Sequence, residues 1–238
     1  MNIVLFDEVE LESEIQMSDR RIHHIKKVLK IKEGETFDAG IINKSIGKAY
    51  YTHTKDSLVK LSYSKESNTP VTLNPVSLII GIIRPVNIQR TIRDLCTLGV
   101  KALHFVVSEK SEKSYAHSKA YDISRIRNYL IEGAEQAFNP YLPEVYIHEC
   151  LTDAFPFFEE YQKIAFDNYE FSNSIGKVKV SKCDTVLALG PERGWSNKER
   201  QKLREHNFSM LSLGERVLRT ETACTVATSV LLSKFEII

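Results

Sequence analysis

Two glycine-bearing turns near the carboxyl end of this 238-residue chain carry the residue types best placed for chemistry. The first, Leu189-Gly190-Pro191-Glu192-Arg193-Gly194-Trp195-Ser196, follows the apolar run Val186 to Leu189. The second, Leu213-Gly214-Glu215-Arg216-Val217-Leu218-Arg219-Thr220-Glu221-Thr222-Ala223, follows Met210 to Leu213. A short apolar run bounded by glycine and followed by helical period is a strand-loop-helix unit, and ligands of α/β proteins gather at such turns. The glycines let backbone approach a ligand, and Pro191 stiffens the first turn. Neither turn has the spacing of a phosphate cradle, so a ligand read by backbone amides and carbonyls, such as a nucleoside without phosphates, fits better. In the second turn Thr220 reads as a helix cap and Glu221 as the acid that complements the helix dipole. The same geometry would hold Arg219 beside a helix N-terminus, where a positive charge can stabilise a developing anion. On the residues alone both readings stand.

The elements that must position these turns are legible upstream. The formal net charge is only +1, so nucleic-acid binding would have to come from local patches and not from the overall field. Four widely spaced cysteines, Cys96, Cys150, Cys183 and Cys224, have neither metal-ligand nor disulfide-framework spacing, which predicts no metal site and a reduced compartment. No apolar stretch reaches membrane-spanning length, and the expectation is a cytoplasmic protein. After a first strand over Asn2 to Phe6, acids cluster at Asp7, Glu8, Glu10, Glu12 and Glu14. Bases cluster at Arg20, Arg21, Lys26, Lys27, Lys30 and Lys32, on a helix predicted to begin at Ser18-Asp19. Ile22, Ile25 and Leu29 share one face of that helix and Arg20, His24 and Lys27 another, a cationic stripe suited to phosphates. Short strands over Gly47 to His53 and Leu58 to Tyr63 suggest a small β-barrel, in which Tyr50, Tyr51 and Tyr63 either fill the core or stack on bases. Lys65 to Pro75 reads as a linker. Beyond it strands and helices alternate, the pattern of an α/β layer fold.

The strings Gly190-Pro191-Glu192 to Gly194-Trp195-Ser196 and Leu213 to Ala223, with Ala134-Glu135-Gln136 and Leu142-Pro143-Glu144-Val145 upstream, resemble the RsmE-type ribosomal RNA uridine-N3 methyltransferases of the SPOUT superfamily. The resemblance covers nearly the whole chain. It implies an α/β fold with a trefoil-knotted SPOUT methyltransferase domain over residues 69–238 and a small N-terminal PUA-like β-barrel that binds RNA over residues 1–68. It implies S-adenosylmethionine as cofactor, held by Leu189, Gly190, Pro191, Glu192, Gly194, Leu213, Gly214, Leu218, Thr220, Thr222 and Ala223. Small-subunit (16S) ribosomal RNA is the implied partner, contacted by Arg20, Arg21, His24, Lys27, Lys30, Arg84 and Arg193. Arg219 is the expected catalytic cation and Glu221 the expected proton acceptor. An obligate homodimer follows from the same resemblance, with the final helix, through Val226, Val230 and Leu231, at the contact. The chain departs from the family pattern at Arg84 and Lys110, where lysine and arginine are usual, at Asn139, near which an arginine is usual, and at Arg193, where glycine is usual. Methylation of another RNA base, or a non-catalytic assembly factor of the same fold, are the alternatives these departures leave.

Overall fold

The computed structural model describes residues 3–11, 13–54, 57–66 and 72–238. Asn2, Glu12 and part of the expected linker, residues 67–71, lie outside them. The chain divides into two compact units, one made of Met1–Thr72 with Ala134–Leu142, the other of Leu73–Gly133 with Pro143–Ile238.

In the first unit, β1 (Val4–Phe6), β2 (Glu14–Gln16), β3 (Phe37–Ile41), β4 (Ser45–His53) and β5 (Leu58–Lys65) form a curled sheet of order β1-β3-β4-β5-β2. Only β1 and β3 run parallel. Alternation along β4 puts Ala49 and Tyr51 inside with Val59, Leu61, Phe37 and Phe6. Tyr51 is thus a core residue whose hydroxyl donates to Ile31 O, Tyr63 packs against the same core, and Tyr50 stays exposed. Helix α1 (Arg20–His23) is capped by Asp19, which accepts from Arg21 N, and continues as a wider turn over His24–Val28. Ile22 and Ile25 are fully buried beneath it. Lys30, at φ +58°, ends this segment in the left-handed conformation, with Ile31 N bonded back to Ile25 O.

The second unit is a seven-stranded, all-parallel sheet. In chain order it contains β6 (Val76–Gly81), α2 (Pro85–Thr97), β7 (Ala102–Val106), α3 (Lys113–Ala116), α4 (Ile123–Ala137), β8 (Glu144–His148), β9 (Gln162–Phe166), β10 (Asn173–Ser174), β11 (Thr185–Leu189), α5 (Asn197–Glu205), β12 (Ser209–Ser212) and α6 (Thr220–Lys234). The last turn of α4 belongs to the first unit. Spatial order is β10-β12-β9-β11-β6-β7-β8. The strands are continuous apolar runs because both faces are covered. A 3₁₀ segment, Leu151–Phe158, packs with Trp195, Leu203 and Phe208 on one side, while α2 and α6 lie against each other. Chain order reverses around β9, β11 and β6: β11 inserts between two earlier strands and β12 crosses to the far side of β9. Such a switch point leaves a crevice beyond the strand ends.

Candidate active site

The carboxyl ends of β9, β11 and β12 open into one cleft of 320 Å³, lined by Phe166–Tyr169, Leu189–Gly194, Leu213, Arg216–Thr220 and Ala223. Its walls are made possible by a close approach. A Cβ on Gly81, at the end of β6, would stand 2.5 Å from both Cδ and N of Pro191, so only glycine lets the first turn lie over that strand. Gly194 (φ +66°) and Gly214 (φ +120°) occupy the left-handed region, with open space where a side chain would begin. The Thr220 hydroxyl donates to Gly190 O at 3.1 Å and ties the second turn to the first.

Bracing comes from behind. Ser196 caps α5, accepting from Glu199 N at 3.1 Å, and the Glu199 carboxylate accepts from Ser196 N at 2.8 Å. The same buried carboxylate accepts from Ser108 Oγ at 2.9 Å and Glu109 N at 3.0 Å. Lys110 Nζ donates to Trp195 O at 3.0 Å. A single carbonyl acceptor needs no guanidinium fork, so lysine suffices for this contact. Trp195 is fully buried, a packing residue. Glu192 does not cap α5; its carboxylate accepts from Arg84 N at 3.0 Å, at the entry to α2. The Tyr121 hydroxyl accepts from Ile83 N and donates to Ile83 O beside it, and burial raises its pKa.

Of the residues expected to hold the cofactor, Leu189, Gly190, Pro191, Glu192, Gly194, Leu213, Leu218, Thr220 and Ala223 line the cleft. Gly214 shapes the turn without lining it, and Thr222 is exposed on α6 outside the lining. Thr220 is the first residue of α6, and the cap position is Arg219, so its hydroxyl is free to bond Gly190 O. Arg219 lines the cleft with Arg193 and Arg216. All three are exposed, and among the described residues none of their side chains has an ion-pair or hydrogen-bond partner. Glu221 is not brought to the cleft: Asn87 Nδ2 donates to its Oε1 at 3.1 Å, and its Oε2 is buried without a partner.

Sequence reasoning missed the wall that follows β9. Asp167 is buried; its Oδ1 accepts from Tyr169 N at 2.7 Å and Glu170 N at 3.0 Å, and its Oδ2 from Arg200 Nε at 2.8 Å. An Asp-Asn pair directly after a parallel strand was the available signal, since such pairs turn the chain at the end where ligands bind.

The residues expected to meet RNA in the first unit fall into two groups. Arg21 is turned inward, held bidentately by Glu10 at 2.6 and 2.7 Å and by Asp19 at 2.8 and 3.0 Å. Burial alone would lower its pKa, yet these carboxylates raise it, and the Arg21 hydrogen bond holds Asp19 below its usual value. Its charge is engaged in holding the fold. Arg20 and His24 line a second cavity of 230 Å³ with Arg21, His23 and Glu135. Glu135 accepts from Leu5 N at 3.3 Å and lies 3.7 Å from Arg20, and burial raises its pKa. Lys27 and Lys30 are exposed. Arg84 is exposed at the start of α2, whereas Arg90 pairs with Asp94 at 3.6 Å and Arg93 with Glu132 at 3.2 Å as a solvated helix face. Near Asn139, where the arginine is absent, the asparagine side chain accepts from Tyr141 N.

A family model described as an RNA methyltransferase domain matches residues 70–232, and one described as an RNA methyltransferase PUA domain matches residues 18–62. The chain is 33% identical to ribosomal RNA small subunit methyltransferase E of Treponema pallidum, over 98% of this chain and 91% of that protein. It is 32% identical to ribosomal RNA small subunit methyltransferase E 1 of Borreliella burgdorferi, over 98% of both. Among solved structures, ribosomal RNA small subunit methyltransferase E of Neisseria gonorrhoeae bound to S-adenosyl methionine superposes with a TM-score of 0.79 at 23% identity, covering 98% of this chain and 97% of that one. A Legionella pneumophila methyltransferase in complex with the cofactor SAM gives 0.76 at 25% identity, covering 93% and 92%. With its two glycine-bearing turns, switch-point cleft and curled N-terminal sheet, the chain belongs to the ribosomal RNA small subunit methyltransferase E family of RNA methyltransferases.

Proposed function

We propose that this protein transfers a methyl group from S-adenosylmethionine to N3 of a uridine in small-subunit ribosomal RNA. The observation that carries the reading is one cleft built from three neighbouring strand ends, with three arginines around it whose side chains are unpaired among the described residues. The residues fit the cofactor. Leu189, Gly190 and Leu213 line the cleft, the open position at Gly194 leaves room for a ligand against the chain, and Leu189, Leu213, Leu218 and Ala223 supply apolar wall. When bound, S-adenosylmethionine supplies an electrophilic methyl group on a sulfonium.

The chain's own contribution is position and charge. Uracil N3 carries a proton and becomes a nucleophile as that proton leaves, which places negative charge on the ring. Arg219, at the start of α6 with no competing carboxylate bonded to it, stabilises that anion. Glu221, bonded to Asn87 outside the cleft lining, keeps the first turn of α6 in place, and the proton departs to solvent through the open mouth. Arg84 and Arg193 meet RNA phosphates near the cleft, and Arg20, His24, Lys27 and Lys30 do so in the first unit. The crossing of β12 past β9 is consistent with a trefoil-knotted chain, and the working form is a homodimer in the cytoplasm, where its RNA is made. The test is tritium transfer from labelled S-adenosylmethionine to small-subunit RNA from a deletion strain, with mass-spectrometric mapping of the product. Label on one uridine N3 is expected; label on another base, or none, overturns the reading.

A further inference from the structure

Tyr169 is 78% exposed, yet its loop is held by buried polar contacts. Asp167 clamps the amides of Tyr169 and Glu170, and Asp167 is in turn fixed by Arg200, an ion pair whose side chains are only 2% and 6% exposed. The Arg200 guanidinium also lies 5.5 Å from the Tyr169 ring centroid. A buried ion pair is costly to form and intolerant of a missing partner, so the loop behind it has little freedom. Apart from that contact with Arg200, most of the ring faces solvent.

The ring's surroundings identify what it would meet. Tyr169 and Asn168 line the same cleft as Arg193, Arg216 and Arg219, the three arginines without partners among the described residues. The nearest acids are accounted for in part: Asp167 is paired with Arg200 and Glu192 accepts from Arg84 N, while Glu215 is exposed beside Arg216. An aromatic face beside unpaired guanidinium groups suits a nucleobase flanked by phosphates. The Asn168 side chain makes no hydrogen bond among the described residues, and an amide offers both a donor and an acceptor to a base edge.

We propose that Tyr169 is a stacking platform for an unpaired RNA base at the mouth of the cleft, with Asn168 reading the base edge and Arg193 and Arg216 taking the adjoining phosphates. This rests on the RNA-methylating reading above for the identity of the base, and its test needs no methyl transfer. Stacking is sequence-tolerant and lost when the ring is removed, whereas the tyrosine hydroxyl is not required. The adenine of the cofactor is the other base that could reach this ring, so cofactor binding is measured in parallel.

The experiment titrates a labelled oligouridylate against wild type, Tyr169→Ala, Tyr169→Phe and Asn168→Ala, and titrates S-adenosylhomocysteine against the same proteins by calorimetry. Tyr169→Ala is expected to weaken oligonucleotide binding about tenfold or more, and Tyr169→Phe to leave it within about twofold of wild type. Asn168→Ala is expected to lose the preference for oligouridylate over oligocytidylate. S-adenosylhomocysteine affinity is expected to be equal in all four. Unchanged oligonucleotide binding by Tyr169→Ala, no binding by wild type, or a parallel loss of S-adenosylhomocysteine affinity would overturn the proposal. Tyr169-dependent binding in a protein that transfers no methyl group would leave the platform standing and remove the enzymatic reading instead.

Discussion

Arg219 is exposed and unpartnered among the described residues, so its side chain can be removed without opening a cavity or stranding a buried charge. Arg219→Ala is therefore expected to leave the melting temperature and S-adenosylhomocysteine affinity near wild type and to lower kcat by about 10²- to 10³-fold, the loss of a group that acts in the transition state. Steady-state kinetics with calorimetry separate the two; normal turnover would make Arg219 a surface residue. His104 makes a prediction of the opposite kind, about stability alone. It is buried on β7, stacked with Tyr146 and His148, edge-on to Phe157 and Phe158, and hydrogen-bonded to His148 Nε2 at 2.9 Å, with Asp153 acting on His148. Burial, with the neighbouring His148, pushes its pKa from 6.5 down to about 3. Above pH 6.5 His104 is neutral in both folded and unfolded chains. Between 6.5 and about 3 the unfolded chain takes a proton there and the folded chain does not, so stability falls as pH is lowered through that window. Denaturation midpoints across it are expected to fall less steeply in His104→Phe than in wild type; equal slopes would show that other groups set the acid limit.

At the scale of elements, the first turn works because a glycine on another strand lets it lie there. Gly81→Ala would put a methyl group 2.5 Å from the Pro191 ring and backbone, where neither side is a flexible tip. The variant is expected to fold with a lowered melting temperature and to lose most of the stabilisation that S-adenosylmethionine gives wild type; an undiminished ligand-induced shift would separate Gly81 from the cleft. Position 81 shows where sequence reading ends. The two turns, the parallel strands and the switch from barrel to α/β layer were legible because glycine, apolar runs and helical period are local signals. That Gly81 faces Pro191, that Glu199 joins the Ser108 turn to the Ser196 cap, and that Asp167 and Arg200 build a wall depend on contacts between residues 33 to 110 positions apart, which no local pattern encodes. The helix carrying the basic cluster is legible down to its cap at Asp19, but not the inward turn of Arg21 to Glu10. Its outward lysines can still be tested. Lys27→Glu with Lys30→Glu is expected to weaken RNA binding and to flatten its dependence on salt, by about 0.7 to 0.9 in log-log slope for each phosphate no longer neutralised. An unchanged slope would make this a merely solvated face.

For the whole molecule the question is what covers α6. A helix with a core-facing stripe normally carries polar residues opposite it, and a helix apolar or small-sided all round is covered on every side. The sequence Thr220 to Lys234, TETACTVATSVLLSK, has two charged residues in fifteen, one at each end. Cys224, Ala227, Thr228, Leu231 and Leu232 are buried within the unit. Leu231, expected at the contact between copies, is therefore a core residue and unavailable to a partner. Val226 and Val230, one turn apart, are only half-buried. A second copy laid across this face would bury the valines, and a contact related by a two-fold axis brings the same face from both sides. Sedimentation of the wild type is expected to give a dimer. Val226→Glu with Val230→Glu is expected to give a folded monomer, because neither valine is in the core and a buried pair of like charges on each copy opposes association. If the sites depend on the pair, the monomer loses methyl transfer while its first unit still binds RNA with the wild-type salt slope. A wild type that sediments as a fully active monomer would show that the half-buried valines of α6 need no second copy to cover them.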